Sequence, residues 1–340
     1  MQSKIKENNY TLRISITSAC NLNCIYCNTQ RKIDLKSVLS REDIVGIVEA
    51  GFNAGVRKIS WTGGEPTVRP DFVEIVRATN KIGIKTQSIT TNGILYSNIA
   101  QQLKDAGILK INFSLDTLNA EDYKKICGHD GFDKVIKSID EATKLYERVK
   151  INCVVTKSSR HVIKEMIDYF GKYGEKMIVR FLEMVPCGQM YENDKSMFGQ
   201  NFLSVKKMIS DFKKIGKLSK VFVEGDVPKS LYYKIEGRNG IYGVNPNHSV
   251  GYVCDKKKCP KIRVSPNGFV SNCSIQLKYV RDFRGTRQEE KNKLMSEIVN
   301  EKESRDYRGF RHKQKYYDFW RFGMNPGFII KKFINGKVEK

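Results

Sequence analysis

The sequence predicts an α/β fold: a parallel sheet built from βα units, followed by a smaller C-terminal domain. Short β-branched runs alternate with longer amphipathic segments about six times between Thr11 and Glu183. Polar motifs recur just after successive runs, at the strand ends where parallel-sheet enzymes carry their chemistry. Beyond Pro186 the alternation stops, and Gly, Asn and Pro become frequent between Gly225 and Gly268.

Taken in order, the expected strands are Thr11–Thr17, Lys58–Thr62, Lys85–Thr90, Lys110–Leu115, Lys150–Thr156 and Met177–Glu183. The expected helices are Arg41–Asn53, Pro70–Lys81, Asn98–Ala106, Phe132–Arg148 and His161–Tyr173. Ser40 followed by Asp43, and Asp71 after Pro70, supply helix starts. The resulting division is an N-terminal extension over 1–10, the βα domain over 11–190, a second domain over 191–285 and a basic, aromatic tail over 286–340. DYRGFRHKQKYYDFWRF is the densest part of that tail.

A chain of 340 residues that is 40% hydrophobic can bury a sizeable core. No stretch approaches the roughly 18 to 20 apolar residues of a membrane span, and MQSKIKENNY has no apolar signal segment. The expected location is the cytoplasm, with no membrane partner. The net charge of +23 suits nucleic acid, a membrane surface or a small polyanion, and many of the lysines have the spacing of a solvated helix face. A nucleic-acid-binding protein with structural zinc would explain the charge and the aromatic tail, but not the βα repeats. Nucleic acid is therefore not the expected partner.

Nine cysteines in a reducing compartment point to metal or cluster ligation rather than disulfides. Six fall into two groups, and Cys127, Cys153 and Cys187 stand alone as ordinary buried thiols. In the first group, Cys20-x3-Cys24-x2-Cys27 follows the first strand, with Tyr26 before the third cysteine. Three thiolates from one loop can hold three corners of a cubane cluster and leave one iron open to a reactant. The zinc alternative calls for four ligands in paired Cys or His arrangements, and no His lies close by. The second group, Cys254-x4-Cys259-x13-Cys273 with Gly268 inside it, suits either another incomplete cluster or zinc.

CNLNCIYC and Gly63-Gly64-Glu65-Pro66, present in that order, resemble the radical S-adenosylmethionine (SAM) superfamily. The resemblance implies a partial (β/α)6 TIM-like barrel. It also implies a [4Fe–4S] cluster on Cys20, Cys24 and Cys27, whose open iron chelates SAM and whose electron generates a 5′-deoxyadenosyl radical. By the same resemblance Tyr26, Gly63, Gly64, Glu65, Thr91, Asn92, Ser114, Asp116 and Arg180 fall where SAM-contacting residues are found. Structural alternatives stand beside these roles: Gly63-Gly64 and Asn92-Gly93 are ready turns, and Arg180 could pair with a surface acid.

LRISITSACNLNCIYC, RKISWTGGEPTVRPDF, SLDTLNAEDYKKICGHDGFDKVIKSI, RFLEMVPCGQ and CPKIRVSPNGFVSNC further resemble the MoaA family, the GTP 3′,8-cyclases that open molybdenum cofactor biosynthesis. That resemblance runs from about Thr11 to Cys273. It implies a second [4Fe–4S] cluster on Cys254, Cys259 and Cys273 that ligates the guanine base. Arg13, Lys58, Lys157, Lys261 and Arg263 would be the cations that hold the triphosphate, with Arg263 also counted among the catalytic residues. An electron donor of the flavodoxin or ferredoxin type is implied, and a homodimer is compatible with it. The departures lie near the substrate. Ser60 stands where the family has a basic residue, four residues separate Cys254 from Cys259 instead of two, and Lys261 replaces an arginine. The chain ends Asn335-Gly336-Lys337-Val338-Glu339-Lys340 rather than in a Gly-Gly pair. These departures leave open a MoaA-like paralogue that modifies another nucleotide, a nucleoside, a sugar or a peptide.

Overall fold

The computed structural model describes residues 8, 10–27, 38–184, 196–224, 230–246, 261–271 and 280–304. They form two compact units. The first comprises the described residues within 1–20, 27–87 and 259–340, and the second those within 21–26 and 88–258.

In the first unit, β1 (Thr11–Ser15) runs parallel to β2 (Lys58–Thr62). Between them lies α1 (Arg41–Asn53), which starts as expected: Ser40 Oγ accepts a bond from the Asp43 amide at 3.0 Å. The next helix, α2 (Phe72–Lys81), departs from expectation at its start. Asp71 sits at the N-cap but makes no side-chain cap bond, because its carboxylate is held by Arg69 at 2.7 and 3.1 Å. The chain passes from the first unit to the second within β3 (Thr86–Thr91).

In the second unit α3 (Ala100–Ala106) leads into β4 (Ile108–Ser114). Then come α4 (Ala120–Cys127), α5 (Phe132–Leu145), β5 (Val149–Val155), α6 (Val162–Phe170) and β6 (Met177–Glu183). Strands β4, β5 and β6 pair in parallel, as successive βα repeats require. Helix α4 was missing from the sequence reading although its signals are present. Asn119 Oδ1 caps the Asp122 amide at 3.0 Å, Glu121 and Asp122 lie in the first turn, and Gly128 ends the helix at φ 64°.

Beyond β6 come α7 (Ser196–Asn201), α8 (Val205–Ile215), β7 (Leu218–Val221), β8 (Leu231–Ile235) and β9 (Ile241–Asn245). Here β9 extends the parallel run beside β6, and β8 and β7 follow antiparallel. Back in the first unit, β10 (Lys261–Val264) lies parallel to β1. It turns through Gly268, at φ 85°, into antiparallel β11 (Phe269–Ser271), which pairs with β12 (Val280–Asp282). Helix α9 (Gln288–Ser304) occupies the start of the expected tail and docks on α1, with Gln288 Nε2 bonded to the Gly46 carbonyl at 3.0 Å and Lys291 paired with Asp43 at 3.5 Å.

The alternating burial of each strand decides what its two faces do. In β1 and β2, Leu12, Ile14, Ile59 and Trp61 are buried, while Arg13, Ser15, Lys58, Ser60 and Thr62 are half-buried on the opposite face. Trp61 is fixed on both sides: its indole meets Phe72 edge-on at 6.1 Å, and its Nε1 donates to Gln87 Oε1 at 2.8 Å. These are the parallel βα units that the alternation predicts, in the α/β class of the partial TIM-like barrel that the resemblance implies. Among the described residues no helix is long and apolar enough to cross a membrane.

Candidate active site

In the first unit, the loop leaving β1 toward Cys20 is held by the Gly63-Gly64-Glu65 turn. The Gly64 amide donates to Thr17 O at 2.7 Å and the Glu65 amide to Ala19 O at 2.8 Å. The approach is too close for any side chain. A Cβ on Gly64 would lie 2.2 Å from Ala19 O and 2.5 Å from Ser18 O, and one on Gly63 would lie 2.6 Å from Thr17 O. Glu65 is 1% exposed, and its Oε1 accepts the Thr67 amide at 3.0 Å and the Thr67 hydroxyl at 2.7 Å. The carboxylate thereby shapes the turn it belongs to.

In the second unit, residues 21–26 of the cysteine loop dock on the ends of β3, β4 and α4. Asn92 Nδ2 donates to Asn21 Oδ1 at 2.8 Å, while Asn92 Oδ1 accepts the Ile94 amide at 3.0 Å. Asn92 therefore makes the turn and also touches the cysteine loop. Thr91 Oγ1 accepts the Gly93 amide at 3.0 Å. The Asn23 and Ile25 amides donate to the Cys127 and Ile126 carbonyls at 2.7 and 3.0 Å, so the C-terminus of α4 supplies acceptors that its own helix leaves unused. The Tyr26 hydroxyl donates to Asp116 Oδ2, and Asp116 Oδ1 accepts the Val154 amide at 2.7 Å. Burial pushes the Asp116 carboxyl up to about 6, against the lowering pull of those two bonds. Burial, reinforced by Asp116, pushes the Tyr26 phenol well above its usual range and keeps it a donor.

Cys20, Cys24 and Cys27 are half-buried. Among the described residues no three His, Cys, Asp or Glu side chains converge as a metal site. The Cys24 thiol instead faces Cys127, whose hydrogen bond, followed by burial, raises the Cys24 pKa far above the ordinary thiol value. The donor set nevertheless fits an iron–sulfur cluster: three thiols lie on one loop whose backbone is already pinned, and a bound metal deprotonates its thiol ligands. Cys153 is fully buried, as expected of a lone thiol. Cys127 is buried too, but it stands against the cysteine loop rather than apart from it.

Ser114, Asn152 and Arg180 share one register row across β4, β5 and β6. Arg180 donates through Nε and Nη2 to Asn152 Oδ1 at 3.0 and 2.7 Å. Asn152 and Asn21 were missed by the sequence reading. Only the placement of Asn21 inside the cysteine motif could have signalled either of them.

Four of the five expected substrate cations come together in the first unit. In register, Thr11 lies between Lys58 and Lys261, and Arg13 lies between Ser60 and Arg263. All four cations are on the half-buried face, opposite Leu12, Ile59 and Ile262. Lys157, in the second unit, donates to the Gly199 carbonyl at 3.1 Å. Cys187, Cys254, Cys259 and Cys273, and the tail from 305 onward, lie outside the described residues.

The model of the Radical SAM superfamily matches residues 14–170. A probable GTP 3′,8-cyclase of Pyrococcus abyssi (strain GE5 / Orsay) is 32% identical over 81% of this chain and 87% of its own length. A GTP 3′,8-cyclase of Alkaliphilus oremlandii (strain OhILAs) is 36% identical over 77% of this chain and 80% of its own. Among solved structures, Streptococcus suis SuiB bound to S-adenosylmethionine superposes with a TM-score of 0.60 at 18% identity, covering 93% of this chain and 69% of that one. Native anSMEcpe with bound AdoMet gives 0.56 at 18% identity, covering 96% and 100%. These two likenesses bear on the fold alone. The cysteine motif, the turn that holds it and the relatives' identity over most of both chains agree: the chain belongs to the radical SAM superfamily and, within it, to the family of the GTP 3′,8-cyclases.

Proposed function

We propose that the protein is a two-cluster radical SAM enzyme that abstracts hydrogen from GTP and cyclises it, the entry step to the molybdenum cofactor. The observation that carries the substrate class is the cation row. Arg13 and Arg263 are in register, as are Lys58 and Lys261 around Thr11, on one half-buried face of three adjacent strands. A single half-buried cation is common, but four at successive strand positions on one face suit a polyphosphate, whose desolvation needs several charge-assisted bonds at once.

In this reading Cys20, Cys24 and Cys27 would hold the first [4Fe–4S] cluster, and Cys24 would leave Cys127 to do so. When bound, the cluster supplies the electron that cleaves SAM. The chain's own contribution is positioning. Gly63 and Gly64 allow the close backbone approach, and Asn92, Asp116 and the α4 carbonyls fix the cysteine loop. Ser114 and Arg180 offer polar groups toward SAM. Cys254, Cys259 and Cys273 would hold the second cluster and the guanine base. The electron donor is of the flavodoxin or ferredoxin type, and the compartment is the cytoplasm.

A second reading, a paralogue acting on a different phosphorylated substrate, is favoured by Ser60. Its hydroxyl stands in register with Arg13, where the family resemblance calls for a further cation. GTP titration of the anaerobically reconstituted protein tests the phosphate reading. Arg13→Ala and Arg263→Ala should each weaken GTP binding about tenfold or more, as expected for a lost hydrogen bond to a charged group, and guanosine should bind far more weakly than GTP. Equal binding of guanosine and GTP would contradict it.

A further inference from the structure

We propose that Arg69 is the positioning residue that closes the cysteine segment, holding its two ends together so that the thiols are set for the cluster. The inference rests on the cluster reading above and concerns a residue to which that reading gives no role.

Every nitrogen of the Arg69 guanidinium is engaged. Nη1 donates to the Ile16 carbonyl at 2.8 Å and to the Leu39 carbonyl at 2.9 Å. Nε and Nη2 take both oxygens of Asp71 at 2.7 and 3.1 Å. Ile16 and Leu39 flank the cysteine triad, one before Cys20 and the other after Cys27. One nitrogen therefore ties the way into the segment to the way out of it. The Arg69 side chain is only 10% exposed and Ile16 and Leu39 are buried, so the two carbonyl bonds are made largely out of water, where a lost partner is costly; Asp71, at 36% exposed, grips the fork from the wetter side.

Asp71 explains why the fork points that way. It gives up its place as the cap of α2 and grips the guanidinium side-on, and that contact holds its own carboxyl below the usual range. Arg69 itself ends the short turn Pro66–Val68 that follows Gly63-Gly64-Glu65, with its amide bonded to the Pro66 carbonyl at 3.1 Å. The turn that pins residues 17–19 from one side thus carries, a few residues on, the clamp that closes the segment. Leu39 passes the tie onward: its amide donates to the Pro266 carbonyl at 2.9 Å in the β10–β11 turn. Lysine at position 69 keeps the charge but cannot serve two carbonyls and a bidentate carboxylate together.

The test is the rate at which a chelator strips iron from the anaerobically reconstituted full chain, alongside the SAM dissociation constant and the melting temperature. Arg69→Lys should lose iron about tenfold faster than wild type, the scale of losing an outer-shell partner of a metal site, and should bind SAM more weakly. Asp71→Asn, which leaves Arg69 in place but loosens its grip, should shift both readings in the same direction by less. It also keeps the proposal testable if Arg69→Lys fails to fold. Gln87→Leu removes the bond that fixes Trp61 in the same unit and serves as the control: it should lower the melting temperature yet strip at the wild-type rate. Wild-type stripping by both Arg69→Lys and Asp71→Asn would overturn the proposal, as would equally fast stripping by Gln87→Leu. Wild-type protein that retains no iron after reconstitution would instead overturn the cluster reading itself, and this proposal with it.

Discussion

Asp116 was expected to contact SAM, and both of its carboxylate oxygens are engaged with Tyr26 and Val154. A role in fixing the cysteine loop is compatible with a SAM contact, and pH separates its electrostatic part. The carboxyl pKa rises from 3.8 to about 6 on burial, so the native state holds the proton more tightly than the unfolded chain. Its contribution to stability is complete below about pH 4 and is lost as pH rises through 6, by an amount on the order of 3 kcal/mol. Denaturant unfolding of the cluster-free protein should show that decline, and Asp116→Asn should flatten it; an unchanged slope would contradict the assignment. The glycines follow a steric argument. Gly64→Ala should destabilise the fold by several kcal/mol or displace residues 17–19 and abolish SAM binding, because its Cβ would overlap the Ala19 carbonyl, a backbone atom that cannot swing aside. In the sequence the cysteines stand out by their spacing and Gly63-Gly64 by resemblance to a superfamily motif. Asn152 and Arg69 do not stand out, because Arg180 and the Ile16 and Leu39 carbonyls that they meet are distant in the chain.

At the scale of elements, strands and helices with strong periodicity were legible: β2, β6 and α1 match their expected bounds residue for residue. Others differ by one to three residues at their ends, where local signals are weakest. Helix α4 was overlooked, and it is the element that receives the cysteine loop on its C-terminal carbonyls. Its cap depends on Gly128, which stands at φ 64° with Asn23 Cβ only 3.0 Å from where a side chain would begin. Gly128→Ala should therefore cost about 1 kcal/mol as a C-cap and should also weaken cluster retention, measured as iron per chain after desalting. Loss of stability with full iron retention would mean that the dock on α4 is incidental. The pairing of β10 beside β1 was likewise beyond the sequence, since it joins segments some 250 residues apart. It is this pairing that brings Arg263 level with Arg13 and Lys261 level with Thr11.

For the whole molecule, the α/β class and the family were legible because a cluster motif, a glycine turn and a βα rhythm agree along one chain. The substrate was less legible, since the family resemblance assigns to substrate binding the very positions where this sequence departs from it, Ser60 and the Cys254–Cys259 spacing. Under the two-cluster proposal, single-cluster variants separate the two halves of the chemistry. Cys24→Ala should abolish SAM cleavage, whereas Cys259→Ala should retain some cleavage, read as 5′-deoxyadenosine, without forming product. The central claim is tested most directly by one incubation: anaerobically reconstituted protein with SAM, a reductant and GTP, measuring 5′-deoxyadenosine and GTP loss together. The account predicts that GTP drives formation of both 5′-deoxyadenosine and a cyclised purine nucleotide; formation of 5′-deoxyadenosine with GTP untouched would contradict it.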